Sequence, residues 1–503
     1  MALLCSSHLF SKERMIIMLD KLKDLNSFEA FKYFKEMNEI PRGSGNEKAI
    51  SDWLVSFAKD HGLEVIQDEA LNVIIKKPGT KGYENAPVTI LQGHMDMVCE
   101  KNADTVHDFE KDPIEFIVEG DILRANGTTL GADNGIAVAF GLAVLASKDI
   151  AHPPIELLVT TEEETGMGGA QRLDSKHLKG RTLINIDSEE EGKLLVSCSG
   201  GVRGKIKLPI AWEAADESLV SCAVRIRGLL GGHSGMEIDK ERGNSNKLMG
   251  RFLKDLSSAV DFKISSIAGG SKNNAIPREA DATILIREED KAIVLEKSSE
   301  WNAIFTNELA GIDPDVNLAV EILDKKAERV FSGDTAKRAL QVLVMIPNGV
   351  KSMSVAIPGL VQSSTNIGVV TTGEENMEFD SAIRSSVKSL KKAICQETIV
   401  LAEMAGASVE FESDYPEWQY NPDSKVRTIF QKVYNEMYGN MPEITAIHAG
   451  LECGLFSDKF NGDIDLISFG PNIYDVHTPK EHLSISSTER TWNYLVAVLK
   501  EIK

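Results

Sequence analysis

Ile50, Trp53, Leu54, Phe57 and Ala58 recur three or four positions apart, which predicts an amphipathic helix closed by Gly62. An earlier helix is predicted over residues 27–38, with a Pro41-Arg42-Gly43-Ser44-Gly45 turn between the two. Short apolar runs at 88–91, 155–160 and 183–186 predict buried strands, and a nearly all-apolar stretch at 136–146 predicts a buried helix. Strand–helix–strand order implies an α/β layer on a largely parallel sheet. Past residue 200 the pattern changes to alternation. Val220, Cys222, Val224 and Ile226 interleave with Ser221, Ala223, Arg225 and Arg227, as in a strand with one wet face. A helix from about 246 spaces Leu248, Phe252 and Leu256 four apart. Alternating strands at 283–286, 316–322 and 409–411 and a long helix over 386–404 complete an inserted α+β domain. The first texture returns near Tyr415-Pro416. It ends in a helix with Ser486 and Glu489 as capping box and Trp492, Leu495, Val496 and Leu499 as apolar stripe.

At 503 residues the chain has room for about three domain-sized units. A net charge of −21 argues against nucleic acid or an anionic membrane as partner, since both would be repelled. No apolar run approaches the roughly 18–20 residues that span a bilayer. The six cysteines form no CxxC pair, so a disulfide framework is not expected and a reducing cytoplasm fits. The first ten residues lack the charged start and cleavage site of a signal peptide and read as an extension; Met15 or Met18 are alternative starts.

Chemistry-bearing residues collect at three predicted strand ends and in two further segments. Five segments carry them: Gly93-His94-Met95-Asp96, Gly131-Ala132-Asp133-Asn134-Gly135, Glu162-Glu163-Glu164-Thr165-Gly166, Asn185-Ile186-Asp187 and His477-Thr478-Pro479-Lys480-Glu481. In open α/β sheets ligands bind at the carboxyl ends of strands. Residues two apart in extended chain point the same way, so His94 can ligate a metal while Asp96 accepts its other ring N–H. A plain His–Asp hydrogen bond is the alternative. Asp133, between glycines at the mouth of an apolar helix, suits a ligand approached closely by backbone, or else a helix cap. The Glu162-Glu163-Glu164 triplet alone would be solvated loop charge, and Asp187 repeats its strand-end placement. Jointly they supply two histidines, three carboxylates and a spare carboxylate as base, which points to a hydrolase with a two-metal centre.

These segments, in this order and around an inserted middle domain, resemble the M20 clan of metallopeptidases and, within it, the aminoacyl-histidine dipeptidases. The resemblance runs from about residue 25 to the C-terminus. It implies a zinc-peptidase-type α/β catalytic domain with a mixed, largely parallel sheet, interrupted by an α+β lid. The organisation expected is a disordered N-terminal extension at 1–24, catalytic segments at 25–202 and 413–503, and a lid and dimerisation domain at 203–412. The resemblance further implies His94 and Asp187 on one ion, Glu164 and His477 on the other, and Asp133 bridging both. Asp96 would orient His94, and Glu163 would be the general base. Gly166 selects Glu163 and Glu164 over Glu162, because the family's glutamate pair is anchored by the glycine two residues after it. A cis peptide is expected at Asp133-Asn134, and His482, the competitor of His477, is expected near the surface. The cofactors implied are two divalent ions, zinc first, with manganese and cobalt left open by the ligand types.

In the middle domain, Gly231-Gly232-His233-Ser234-Gly235 presents one histidine, by itself an ordinary turn residue. In resembling enzymes such a histidine steadies the oxyanion, often across a dimer interface. Asn274 matches a substrate-contacting asparagine, or else a turn residue before a strand. Arg384 is the candidate for the substrate's C-terminal carboxylate, with a surface arginine as the alternative. Gly450, in His448-Ala449-Gly450, would offer backbone groups to the same end. The activity implied is hydrolysis of dipeptides of the Xaa-His type, such as β-alanyl-histidine, with broad specificity, by a two-metal-activated water and Glu163 in the cytoplasm. The lid is also the candidate homodimer surface. An N-acyl-amino-acid amidohydrolase on the same scaffold is the nearest rival. A non-catalytic binding protein would predict a broken ligand or a missing base, and none is missing.

Overall fold

The computed structural model describes residues 21–503. Of the expected N-terminal extension, residues 1–20 lie outside the described residues, whereas 21–24 form a turn with Leu22 buried. Two compact units divide the chain. One comprises the chain up to Val196, Tyr420–Ala446 and Leu455–Lys503; the other comprises Ser197–Gln419 and Ile447–Gly454. Gly450, expected in the last catalytic segment, therefore belongs to the second unit.

The first unit is built on an eight-stranded mixed sheet. At its centre Thr89–His94 runs parallel to Ile155–Thr160 on one side and Thr182–Asn185 on the other, and Asp465–Ser468 extends the parallel set. The edge formed by Val73–Lys77 and Glu64–Gln67 is antiparallel. Every residue of Thr89–His94 and Ile155–Thr160 is buried, as in parallel strands covered on both faces. Helix Ala132–Ala146 packs on Thr89–His94 and is buried along nearly its whole length, the mark of an interior helix. Gly93 permits that approach: a Cβ there would stand 2.4 Å from Asn134 Oδ1 and 2.8 Å from the Ala137 Cβ. Gly93→Ala is therefore expected to cost about 1–3 kcal/mol by overpacking. Calorimetry would register this as a lowered Tm; an unchanged Tm would show the contact to be slack.

The last helix, Ile485–Glu501, departs from the expected capping box. Ser484 Oγ, not Ser486, accepts from Ser487 N. Glu489 instead accepts from Asn26 N, Ser27 N and Ser27 Oγ, securing the entry to helix Phe28–Met37.

The second unit is an α+β body on a nine-stranded sheet whose pairings are antiparallel. Leu248, Phe252 and Leu256 of helix Ser245–Ala259 meet Cys222, Val224 and Ile226 in its core. The wet face expected on Val220–Arg227 is only partial. Ser221 and Ala223 are buried, and Arg225 stays exposed. The chain at Leu323 and Ala327 binds back over the strand, donating to Ser221 O and Ser221 Oγ. Among the described residues no helix is long and apolar enough to cross a membrane.

Candidate metal centre

Three parallel strands of the first unit deliver their acidic and histidine residues to one place. His94 ends Thr89–His94, Glu163 and Glu164 follow Ile155–Thr160, and Asp187 follows Thr182–Asn185. Asp133 lies among them, and its two carboxylate oxygens face in different directions. Oδ1 is 3.2 Å from His94 Nε2, whereas Oδ2 is 3.1 Å from His477 Nε2. His94 Nε2 also stands 3.5 Å from Asp187 Oδ1, and His477 Nε2 stands 3.0 Å from Glu164 Oε2. Glu163 is set slightly apart, its Oε2 4.0 Å from His94 Nε2. Glu162 turns away to pair with Arg172 at 2.9 Å. His482 is also elsewhere: it stacks on Tyr474 and sits 2.9 Å from the Lys480 carbonyl.

Local structure explains this convergence. His94 Nδ1 faces Asp96, 3.4 Å from Oδ1 and 3.2 Å from the carbonyl oxygen. The Asp96 carboxylate also accepts from Ser44 Oγ and from the backbone N–H groups of Glu163 and Glu164, so one buried acid fixes both the imidazole and the glutamate turn. The peptide Asp133-Asn134 is cis. Asn134 accepts from His94 N and donates to Ile186 O, tying two strand exits together. The helix-cap alternative for Asp133 falls away, because Glu481 takes the free N–H groups at that helix start. Gly131 and Gly135 do not admit a ligand as expected; the space beside them is filled by Arg42, Met97 and Phe34. Sequence reasoning missed the roles of Arg42, Ser44, Asn134 and Glu481. The one available signal was charge inside a glycine-rich turn, in Pro41-Arg42-Gly43-Ser44-Gly45.

The electrostatics call for added positive charge. Burial disfavours a charged His94, yet Asp187, Asp133 and Asp96 together raise its pKa well above the usual value. Asp133 and Glu164 push His477 up to about 10. Burial, with Asp133 and Glu164 opposing His94, pushes Asp187 up to about 6. Glu164 Oε1 is buried with no hydrogen-bond partner. Ligand atoms of His94, Asp133 and Glu164 all lie within 4.8 Å of one another. Imidazole and carboxylate donors with an orphaned buried oxygen fit a divalent cation.

The second unit brings its own candidates together. His233 Nδ1 accepts from Gly235 N and Met236 N, which leaves the ring proton on Nε2. Burial and Arg384 lower the pKa of His233, so it is neutral at pH 7. A Cβ on Gly235 would lie 3.1 Å from His233 Cε1, 3.3 Å from Arg384 Nε and 2.6 Å from His448 O, so that glycine sits among all three. Arg384 donates to the Tyr415 hydroxyl at 2.6 Å and lines one cavity with Asn274. Ser234 N donates to Asn274 O, and His233 pairs with Ala275. Gly450 lies two residues from His448, whose Nε2 is 2.7 Å from Ser364 Oγ.

The pattern of peptidase family M20/M25/M40 matches residues 90–501. The chain is 39% identical over 486 residues to the cytosol non-specific dipeptidase of Escherichia coli (strain K12), covering 96% of this chain and 99% of that protein. The structure of aminoacylhistidine dipeptidase from Vibrio alginolyticus matches with a TM-score of 0.92 at 40% identity, over 95% of this chain and 97% of that one. Aminopeptidase PepT from Bacillus cereus, at 16% identity and a TM-score of 0.54 over 95% of this chain and 99% of that one, shares the fold. Fold and matches together define a metal-dependent hydrolase acting on peptide bonds. The chain belongs to peptidase family M20/M25/M40.

Proposed function

We propose that this protein is a dipeptidase of the Xaa-His type with broad specificity, working with two divalent cations, zinc first, and Glu163 as general base. The observation that carries the reading is the opposed disposition of Asp133, with one oxygen toward the His94–Asp187 pair and the other toward the His477–Glu164 pair. One cation would be held by His94, Asp187 and Asp133, the other by His477, Glu164 and Asp133. Bound there, the pair supplies Lewis acidity, bringing the pKa of water to about 7 and polarising a carbonyl. Glu163 accepts the proton of the attacking water and returns it to the leaving amine. Asp96 keeps His94 in the tautomer that presents Nε2 to the site.

Recognition of the substrate falls to the second unit. The His233 Nε2–H offers a neutral donor to the oxygen of the tetrahedral adduct. The Arg384 fork pairs with the C-terminal carboxylate, and Asn274 and Gly450 complete the polar contacts. Relatives named as dipeptidases at 39% and 40% identity support a two-residue substrate. A cytoplasmic location and a homodimer through the second unit belong to the same proposal.

Amino-acid release from β-alanyl-histidine, alanyl-histidine and N-acetyl-histidine, before and after zinc or manganese is restored to chelated enzyme, tests it. Metal-dependent cleavage of the free-amine dipeptides alone is expected. Cleavage of only the acetylated compound would make the protein a deacylase. Arg384→Lys should raise KM for the dipeptides about 10- to 100-fold with a smaller change in kcat, since one ammonium replaces a fork. Steady-state kinetics checks this, and an unchanged KM would remove Arg384 from the carboxylate.

A further inference from the structure

We propose that Arg42 and Glu481 are positioning residues for the carboxylate of Asp133, gripping the 130–133 loop between them; the inference rests on the two-cation reading above. Glu481 is buried at 2% exposure and spends both oxygens on four consecutive backbone N–H groups. Its Oε2 accepts from Leu130 N at 2.7 Å and Gly131 N at 3.0 Å. Its Oε1 accepts from Ala132 N at 2.7 Å and Asp133 N at 3.3 Å. Free N–H groups at a helix start attract an anion, and here that anion is contributed from 348 residues away in sequence at the Asp133 contact.

Arg42 holds the same loop from its carbonyl side. Its Nη2 donates to Gly131 O at 2.6 Å and to Asn38 Oδ1 at 3.3 Å. Its Nη1 donates to Met95 O at 2.9 Å and Asp96 O at 3.2 Å. One buried guanidinium thus couples the strand exit carrying Asp96 to the loop carrying Asp133. Gly131 and Gly135 are the room made for it, since a Cβ at either would lie 2.4 Å or 2.7 Å from Nη2. Burial lowers the Arg42 pKa to about 10, with Glu481 and Asp96 opposing, so it remains a cation at neutral pH. Two buried ions of opposite sign hold the backbone of one loop, Glu481 through four N–H groups and Arg42 through the Gly131 carbonyl, and that loop ends at the carboxylate whose two oxygens must face two histidines. Partners one step removed from a metal ligand typically change metal affinity about 10- to 100-fold when removed.

The test is cobalt(II) titration of metal-free protein, followed by visible absorption, with far-UV circular dichroism confirming the fold. Wild type is expected to take two ions. Glu481→Gln places an amide N–H against two backbone N–H groups, and it should weaken cobalt binding by about 10- to 100-fold and alter the absorption band of the bound ion. Arg42→Met should do the same, with Arg42→Lys intermediate because an ammonium keeps the charge but loses the bridge. Arg42→Lys disturbs packing least and decides the matter where the others do not fold. Folded variants that bind two cobalt ions with wild-type affinity and spectrum would overturn the inference. A wild-type protein binding fewer than two ions would overturn the proposed centre itself.

Discussion

Glu163→Gln is expected to lower kcat by about 100- to 10,000-fold, the usual contribution of a positioned acid–base group, while both ions stay bound. The amide copies the shape of the carboxylate but cannot accept a proton. Geometry separates Glu163 from the proposed ligands: at 4.0 Å from His94 Nε2 it stands behind Asp133 at 3.2 Å and Asp187 at 3.5 Å. Its backbone is nonetheless held in place through Asp96. Removing a group that acts in the transition state lowers kcat and leaves KM nearly unchanged. Kinetics on β-alanyl-histidine, with metal content measured on the same sample, makes the comparison. A fully loaded variant retaining kcat within about tenfold would move the base elsewhere. Glu189 is then the group to examine, since burial, with Asp133 and Asp187, pushes it up to about 7.

The parts of the molecule that were legible in the sequence are those whose cause is local. Buried parallel strands such as Ile155–Thr160 announce themselves as apolar runs, and side chains at their exits share a sheet edge by topology alone. What could not be read depends on backbone groups distant in sequence. Arg42 finds the Gly131 carbonyl across 89 positions, and Glu481 finds the Gly131 N–H across 350. Neither contact leaves a trace in periodicity. The glycines flanking Asp133 were legible as close-approach positions, but the approaching group is a protein side chain, which sequence spacing does not distinguish from a ligand. Ser486 and Glu489 fit the spacing of a capping box, yet Glu489 serves the entry to the first described helix. Local pattern proposes such a contact, and tertiary geometry reassigns it.

Chelation is expected to abolish turnover, and rebinding of the ions should tighten as pH rises. In the cation-free protein His477 is raised to about 10 by Asp133 and Glu164, and His94 is raised as well. Each imidazole must give up its proton before its nitrogen can ligate, so proton and ion compete for one lone pair. Below the unfolded-state value of about 6.5, folded and unfolded chains both hold the His477 proton, and its attraction to the two carboxylates is fully present. As pH climbs from there to and through the folded-state value of about 10, the unfolded chain releases the proton that the folded chain still holds, and that stabilisation of the metal-free protein is progressively lost. The metal-loaded protein keeps its bound cations over the same interval. The Tm difference between loaded and chelated protein, measured from about pH 6 to about pH 9 at fixed free metal, should therefore widen with pH. A constant difference would mean that the two histidines hold no proton for the ions to displace, and the ligand assignment of His94 and His477 would fall with it.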